Sequence, residues 1–341
     1  MSHYRPSNAT TSGLSALALT TLLVAGCGGG GGSSSISSGD GSGSLSLGVT
    51  DAPVDDAQNV FVQFSSVTLI PSDSDTDGED GEEDGSEDDS DFVTIEFDEP
   101  QQIDLLDQQD GNSAALIENE QIEAGEYDQI RLGVDLDGVR DTYIVLTDDN
   151  NNTIERELSV PSGAQTGLKL VSGFTVEDGG SLDLTIDFDL RKSIVRSGNN
   201  NDNFKLKPAL RLINNDDAGD IDVTASSVYV TAAGRCNEDT QAQAAYIYEG
   251  GGVTPDDVNT QDDSDVDPLT TVSLDLEQET GNYVGTAGFL EPGTYTAAFT
   301  CDPENDEPEQ DDSGSMTFYN AETIEVEAAR TSAYDLDGTD L

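Results

Sequence analysis

Histidine and tryptophan are nearly missing from this chain of 341 residues, which has one histidine, His3, and no tryptophan. Ser-His-Asp and Cys-His catalytic arrangements and histidine zinc sites all need histidine, so the chain beyond His3 can form none of them. Acid–base chemistry would therefore depend mainly on carboxylates, lysine and tyrosine. This composition favours a protein without enzymatic activity. Paired carboxylates still allow a carboxylate-dependent glycoside hydrolase, although no pair stands out in the sequence.

Basic residues are scarce as well. The chain has 13 lysines and arginines against 70 aspartates and glutamates, which gives a formal net charge of -57. Such a surface repels nucleic acids and anionic lipid headgroups, so the charge excludes both as partners. Salt screens the repulsion among the acidic side chains. We therefore expect a halophilic protein that works in a marine or saline exterior.

The amino-terminal segment has the pattern of a secretory signal peptide. Residues 14–25 are apolar but too few to cross a bilayer as a permanent helix, and Arg5 supplies the positive flank. Val24-Ala25-Gly26-Cys27 resembles the lipobox of bacterial lipoproteins. The resemblance implies cleavage after a leader of residues 1–26 and attachment of lipid to Cys27. An ordinary signal peptide with a chance cysteine is the alternative.

A Gly/Ser tether follows the lipobox over residues 27–43. This composition behaves as a flexible coil that lets a folded body stand away from a membrane. Gly28 occupies the position where, by analogy with known sorting rules, aspartate retains a lipoprotein at the inner membrane. We therefore expect lipid anchoring in the cell envelope, at the outer membrane, facing the periplasm or the surface.

The two remaining cysteines are Cys236 and Cys301. Disulfides persist in exported proteins, because no cytosolic reductant reaches them. The sequence therefore predicts that Cys236 and Cys301 form a disulfide.

The body of the chain shows the alternation of β-strands. In SLDLTIDFDLR, residues 181–191, apolar side chains alternate with polar ones, which predicts a strand with one solvent-exposed face. Residues 204–212 alternate too, and we expect them to pair antiparallel with 181–191, which would set Lys205, Lys207 and Arg211 opposite Asp183, Asp187 and Asp189. An anion-binding patch is the alternative for the wider cluster of cations, which consists of Arg191, Lys192, Arg196, Lys205, Lys207 and Arg211. Residues 112–122 are the one candidate for a short helix.

The strands divide into two β regions. The first covers residues 44–215 and the second residues 219–341, separated near the polar segment NNDDAGD. IEAGEY at 122–127 and LEPGTY at 290–295 share one pattern, in which glycine permits a tight turn and tyrosine begins a strand. Two tandem β-sandwich domains are the simplest explanation, and the predicted fold class is all-β.

Three stretches carry a resemblance to a known family: LSLGVTDAPVDDAQNVFVQFSSVTL, VPSGAQTGLKLVSGFTVEDGGSLDLTIDFDLRKSIV and FKLKPALRLI. Together they resemble the bacterial lipoprotein family catalogued as domain of unknown function 4382, over roughly residues 44 to 214. The resemblance implies a transthyretin-like or immunoglobulin-like sandwich of the kind found in carboxypeptidase-regulatory-like domains, and it implies no activity. EPGTYTAAF in the second region is similar to the same superfamily.

An acidic insertion interrupts the first domain at residues 72–91. Asp73, Asp75, Asp77 and Asp84 occupy positions one, three, five and twelve of an EF-hand-like loop, with Gly78 at the sharp turn. Such a loop would bind calcium through carboxylate oxygens. Position twelve lacks the usual glutamate and the flanks are predicted strands, so a solvated acidic loop that binds no ion is the alternative.

These features together predict a non-enzymatic envelope lipoprotein that serves as a binding or structural module. Its lipid would hold it to the membrane, and an extracellular polysaccharide or another envelope protein would be its partner. We expect it to need no cofactor. Two alternatives remain open, the glycoside hydrolase and a calcium-responsive structural or adhesion protein.

Calorimetric titration separates the two interpretations of the acidic insertion. Calcium is titrated into a soluble form that begins at Ser44, at the ionic strength of sea water. Saturable binding near one equivalent that Asp75→Ala and Asp77→Ala abolish would identify a metal site. Diffuse heat that salt suppresses would identify solvating surface instead.

Overall fold

β-Strands make up most of the structure, a computed structural model that describes residues 41–52, 57–72, 92–136, 138, 140–147, 152–161, 166–197, 203–237, 241–260, 266–308, 310–312 and 314–338. The strands are β1 (Ser42–Ala52), β2 (Ala57–Pro71), β3 (Val93–Asp104), β4 (Ala114–Glu123), β5 (Gly125–Val134), β6 (Tyr143–Thr147), β7 (Thr153–Ser159), β8 (Leu168–Val176), β9 (Ser181–Asp189), β10 (Ile194–Ser197), β11 (Asn203–Leu206), β12 (Leu210–Asn214), β13 (Gly219–Ser226), β14 (Ala244–Glu249), β15 (Thr270–Ser273), β16 (Asp275–Glu277), β17 (Asn282–Leu290), β18 (Gly293–Thr300), β19 (Phe318–Val326) and β20 (Thr331–Leu336).

Helical structure in the described residues is limited to short turns. The segments Leu190–Ser193 and Ser227–Thr231 are α-helical, while Leu105–Asp107, Ala232–Gly234 and Pro303–Asn305 form 3₁₀ turns. No helix within the described ranges is both long and apolar enough to span a membrane.

The first sandwich contains two sheets. One has the strand order β12-β9-β1-β4, and the other has the order β10-β11-β7-β6-β2-β5-β8 with β3 paired to β2. Their inner faces share one apolar core, in which Phe64 of β2 meets Phe188 of β9 edge to face at 6.2 Å between ring centroids. The alternation along each strand therefore buries one face against the opposite sheet.

The second sandwich has the sheets β16-β17-β13-β20 and β15-β14-β18-β19. It has its own core, which includes Tyr229, Phe299 and Tyr334. Cys236 and Cys301 lie in this core and form the disulfide that the sequence predicts. The all-β sandwich prediction is confirmed, whereas the boundaries at 215 and 219 stay a prediction.

Both sandwiches repeat one strand arrangement. β1 lies between antiparallel β4 and parallel β9, just as β13 lies between antiparallel β17 and parallel β20. The hairpins that carry the shared sequence pattern are equivalent as well, because β5 pairs with β8 as β18 pairs with β19. This common topology supports an origin of the two sandwiches by duplication much more strongly than the six-residue pattern shared by 122–127 and 290–295 does.

Each copy of the pattern ends in the same tyrosine contact. The Tyr127 hydroxyl donates to the backbone oxygen of Glu123 at 2.9 Å, and the Tyr295 hydroxyl donates to that of Glu291 at 2.7 Å. Both rings are buried, so each hydroxyl fastens its turn to the start of the strand that follows. The turn before each of these strands is thus held by a hydrogen bond from the tyrosine side chain to the backbone.

Two predictions made from the sequence, one of a helix and one of an exposed strand face, need correction. Residues 112–122 do not form a helix, because Ala114–Glu123 is strand β4, whose apolar side chains reach the core and whose backbone pairs with β1. The exposed face predicted for 181–191 is also wrong in its second half. Thr185 and Asp187 are 0% and 5% exposed, and Asp187 lines a cavity together with residues of the second sandwich.

Of the three cations predicted to lie opposite acidic residues of β9, only Arg211 does so. Arg211 of β12 lies opposite Asp187 of β9 and pairs with it. Lys205 instead lies on β11, which pairs with β10 and β7 in the other sheet, and Lys207 follows that strand. Pro208 has no amide hydrogen to continue a ladder, so the chain changes sheets there.

Replacing Tyr295 by phenylalanine removes only the corner hydrogen bond. We expect the free energy of unfolding to fall by about 1 kcal/mol, and Tyr127→Phe to have a similar effect. Urea denaturation measures both. Tyr143→Phe is the control, because Tyr143 stacks on Phe61 at 4.8 Å and fastens no turn. Equal losses in all three variants would contradict the role of the corner.

Candidate functional site

A group of buried polar contacts lies where the two sandwiches meet. Arg191 belongs to the one-turn helix after β9, whose first turn is capped by the Asp189 side chain. Its guanidinium donates to the Asp306 carboxylate at 2.7 Å and to the Tyr246 hydroxyl. The Tyr246 hydroxyl in turn donates to Asp306 at 2.6 Å. One residue of the first sandwich and two of the second thus form a closed hydrogen-bonded triangle.

This triangle is fully enclosed. The side chains of Arg191 and Asp306 are 4% and 0% exposed. Burial raises the pKa of Asp306 above its usual value, while Arg191, Tyr246 and the backbone amide of Val258 oppose that rise by stabilising the carboxylate. A buried ion pair contributes to specificity more surely than to stability, because both charges must leave water.

Further contacts fix the same junction. Lys192 donates to the backbone oxygen of Pro268 at 2.7 Å, and the Thr286 amide donates to Asp110 at 3.0 Å. Gly288 lies so close to the first sandwich that an added Cβ would stand 2.6 Å from the Cα of Gly111. The two sandwiches therefore meet backbone to backbone at this point.

Two buried carboxylates, Asp51 and Asp187, line a cavity of about 20 Å³ at the junction. Burial is the main cause that raises the pKa of both, and Asp187 adds to the rise at Asp51. A glycoside hydrolase needs one acid with a raised pKa, a partner that stays ionised and room for a sugar. This pair has two shifts in one direction and room for about one water molecule.

Three further carboxylates, those of Asp257, Asp306 and Asp312, offer oxygens within 4.8 Å of one another. The backbone amide of Asp312 donates to Asp257, and that of Glu307 donates to Asp312 at 2.8 Å. Carboxylate oxygens suit a calcium ion, but here they already accept hydrogen bonds from the loop and from Arg191. The arrangement accounts for the shape of the loop without a ligand.

The predicted site residues fall into two groups. Cys236 and Cys301 form their disulfide. Cys27 and the proposed calcium ligands Asp73, Asp75, Asp77 and Asp84 lie outside the described residues. An anion-binding patch was the alternative for the clustered cations, and three of them, Arg191, Lys192 and Arg211, pair with carboxylates of the protein itself.

Nothing in the sequence pointed to Asp306, which lies in an acidic loop that resembles solvated surface. Tyr246 likewise reads as an ordinary strand residue. The single available signal was Arg191, a cation placed directly after a strand of five apolar residues.

Arg191→Met should lower the free energy of unfolding by about 3–5 kcal/mol, because it leaves the Asp306 charge buried without its partner. Urea denaturation measures the loss, and Arg191→Met with Asp306→Leu should recover part of it. Arg140→Met is the matched control, since the Arg140–Glu155 pair is 71% and 41% exposed and should contribute less than about 1 kcal/mol. A loss at Arg191 no larger than at Arg140 would contradict the buried pair as the junction's anchor.

Solved structures similar to this chain are distant. A leucine-rich repeat protein from Bacteroides thetaiotaomicron has 10% identity and a TM-score of 0.21, with 87% of this chain and 26% of that chain covered. The minor pilin GBS52 from Streptococcus agalactiae has 14% identity and a TM-score of 0.18, with 86% and 94% covered. A putative adhesin from Bacteroides ovatus has 9% identity and a TM-score of 0.20, with 90% and 98% covered.

Likenesses at these TM-scores carry no argument about function. The chain also spans only about a quarter of the leucine-rich repeat chain and about a third of the Bacillus anthracis TIE protein chain, at 26% and 34%. A search of curated proteins gives no match. Residues 42–208 match the model of the family described as Domain of unknown function (DUF4382), which confirms, for that part of the chain, the resemblance carried by its sequence.

Proposed function

We propose that this protein is a non-enzymatic module of the bacterial cell envelope, held to the membrane by lipid on Cys27 and made of two sandwiches that act as one rigid body. The observation that carries the proposal is the enclosed triangle of Arg191, Tyr246 and Asp306. These reactive side chains serve contact between the sandwiches and are not presented to a substrate.

The lipid anchor is supported by the sequence around Cys27. An apolar segment, a lipobox-like tetrapeptide and a Gly/Ser tether follow one another without a gap. A flexible tether gives a folded body reach but no orientation of its own. Rigidity between the sandwiches then lets the far end of the body stand at a constant distance from the tether.

The partner follows from the charge. With a net charge of -57, the body favours neutral or cationic surfaces and is repelled by anionic ones. A neutral extracellular polysaccharide or a basic face of another envelope protein meets this requirement. The same charge supports a saline habitat, in which counterions limit the repulsion among acidic side chains.

Metabolic labelling tests the anchor. The full chain is expressed in a Gram-negative host with radiolabelled palmitate, and we expect label in the membrane fraction. Cys27→Ser should lose the label and release the protein. The double variant Cys236→Ser with Cys301→Ser should keep the label, which separates lipid attachment from the loss of any cysteine.

Two outcomes would overturn the proposal. Wild-type chain without label, or Cys27→Ser with full label, would remove the lipid anchor. Hydrolysis of a glycoside panel that Asp51→Asn and Asp187→Asn both abolish would replace the non-enzymatic role by the hydrolase.

A further inference from the structure

The cavity that holds Asp51 and Asp187 contains buried oxygen atoms without partners. Asp51 is 7% exposed and Thr271 is 4% exposed. Neither Asp51 Oδ2 nor Thr271 Oγ1 has a hydrogen-bond partner among the described residues, and both residues line the cavity. Thr185 Oγ1 is also without a partner and lies two residues before Asp187 on β9. Buried oxygens in this state point to a ligand site, because leaving them unsatisfied is unfavourable.

Of the carboxylates shielded from solvent around the cavity, one has no counter-charge; Asp110 also lines the cavity, but it is exposed and accepts from the Thr286 amide. Asp187 accepts from Arg211 Nε at 3.0 Å, and Asp189 pairs with Lys192 at 3.2 Å. Asp51 accepts only neutral donors, such as the Leu190 amide at 3.3 Å, and within the described part of the chain it has no ion pair. A buried carboxylate without a counter-charge is strongly disfavoured, so it takes up a proton or binds a cation.

The size of the cavity restricts the ligand. A volume of about 20 Å³ holds one water-sized occupant and excludes sugars and polyatomic anions. Carboxylate and hydroxyl oxygens are ligands for hard metal ions and not for soft ones. A single unbalanced charge matches a monovalent ion better than a divalent one.

We propose that this cavity binds one sodium ion through Asp51, Asp187 and Thr271, and that the ion joins the two sandwiches. Asp51 lies on β1 and Asp187 on the adjacent parallel strand β9 of the first sandwich, and Thr271 lies on β15 of the second. The ion therefore stabilises the junction because it binds residues of both sandwiches at once. This site does not depend on lipid attachment or on the proposed partner.

Thermal unfolding of the full chain in different salts tests the site. Sodium, potassium and choline chloride are compared at one high ionic strength and neutral pH, so that general screening is the same in all three. We expect the Tm in sodium chloride to exceed that in choline chloride by about 2–4 °C, because an ion that binds only the folded state raises its stability. Potassium should give a smaller shift, since the cavity is small.

Variants assign the shift to these residues. Asp51→Asn and Thr271→Val should each abolish the difference between sodium and choline, and Thr271→Val keeps the buried shape if Asp51→Asn fails to fold. Asp183→Asn is the control on β9, because Asp183 is exposed, does not line the cavity and accepts from the Asn215 side chain. It should keep the full difference.

Three results would overturn the proposal. Equal Tm values in all three salts would leave the cavity to water. A Tm that rises on acidification by the same amount in every salt would assign the counter-charge at Asp51 to a proton. A larger shift in calcium chloride at the same ionic strength would replace the monovalent ion by a divalent one.

Discussion

The ion pair between Arg191 and Asp306, completed by Tyr246, is the contact on which the arrangement of the two sandwiches depends. Each sandwich has an apolar core of its own, so neither needs the other to bury its hydrophobic side chains. What joins them is polar, and polar contacts are directional. The junction therefore specifies an orientation where an apolar patch would only promote association.

A junction made of paired charges is particularly favourable in a chain with a net charge of -57. Two acidic bodies repel each other unless their contact is neutralised. Of the few cations in the chain, Arg191, Lys192 and Arg211 are placed at or beside the junction and pair with carboxylates there. Three of the clustered basic residues thus offset carboxylates where the two sandwiches meet.

Alternation along the strands was enough to predict the all-β class, because that class follows from local pattern. The disulfide was predicted separately, from the two cysteines that remain in a chain expected to be exported. Alternation was not enough to predict that Thr185 and Asp187 are buried on the face of β9 that was expected to be exposed, since Asp187 lies in a cavity lined by residues 270–273 and 286–289. Asp306 was missed for the same reason. An acidic residue in an acidic loop shows no sign that a distant arginine will enclose it. Residues 112–122 failed differently, because strand pairing with β1 overrode a weak local preference.

The parallel pairing inside each repeat also decides when the chain can fold. Ser44 at the start of β1 pairs with Ser181 of β9, and Asp220 of β13 pairs with Thr331 of β20. The first strand of each sandwich therefore waits for a partner near the end of that sandwich before its sheet is complete, and contacts of such long range slow the closing of a fold. A chain of this design stays open while it is being made. Each sandwich becomes stable only when all of its strands are present on the same side of any membrane that the chain crosses.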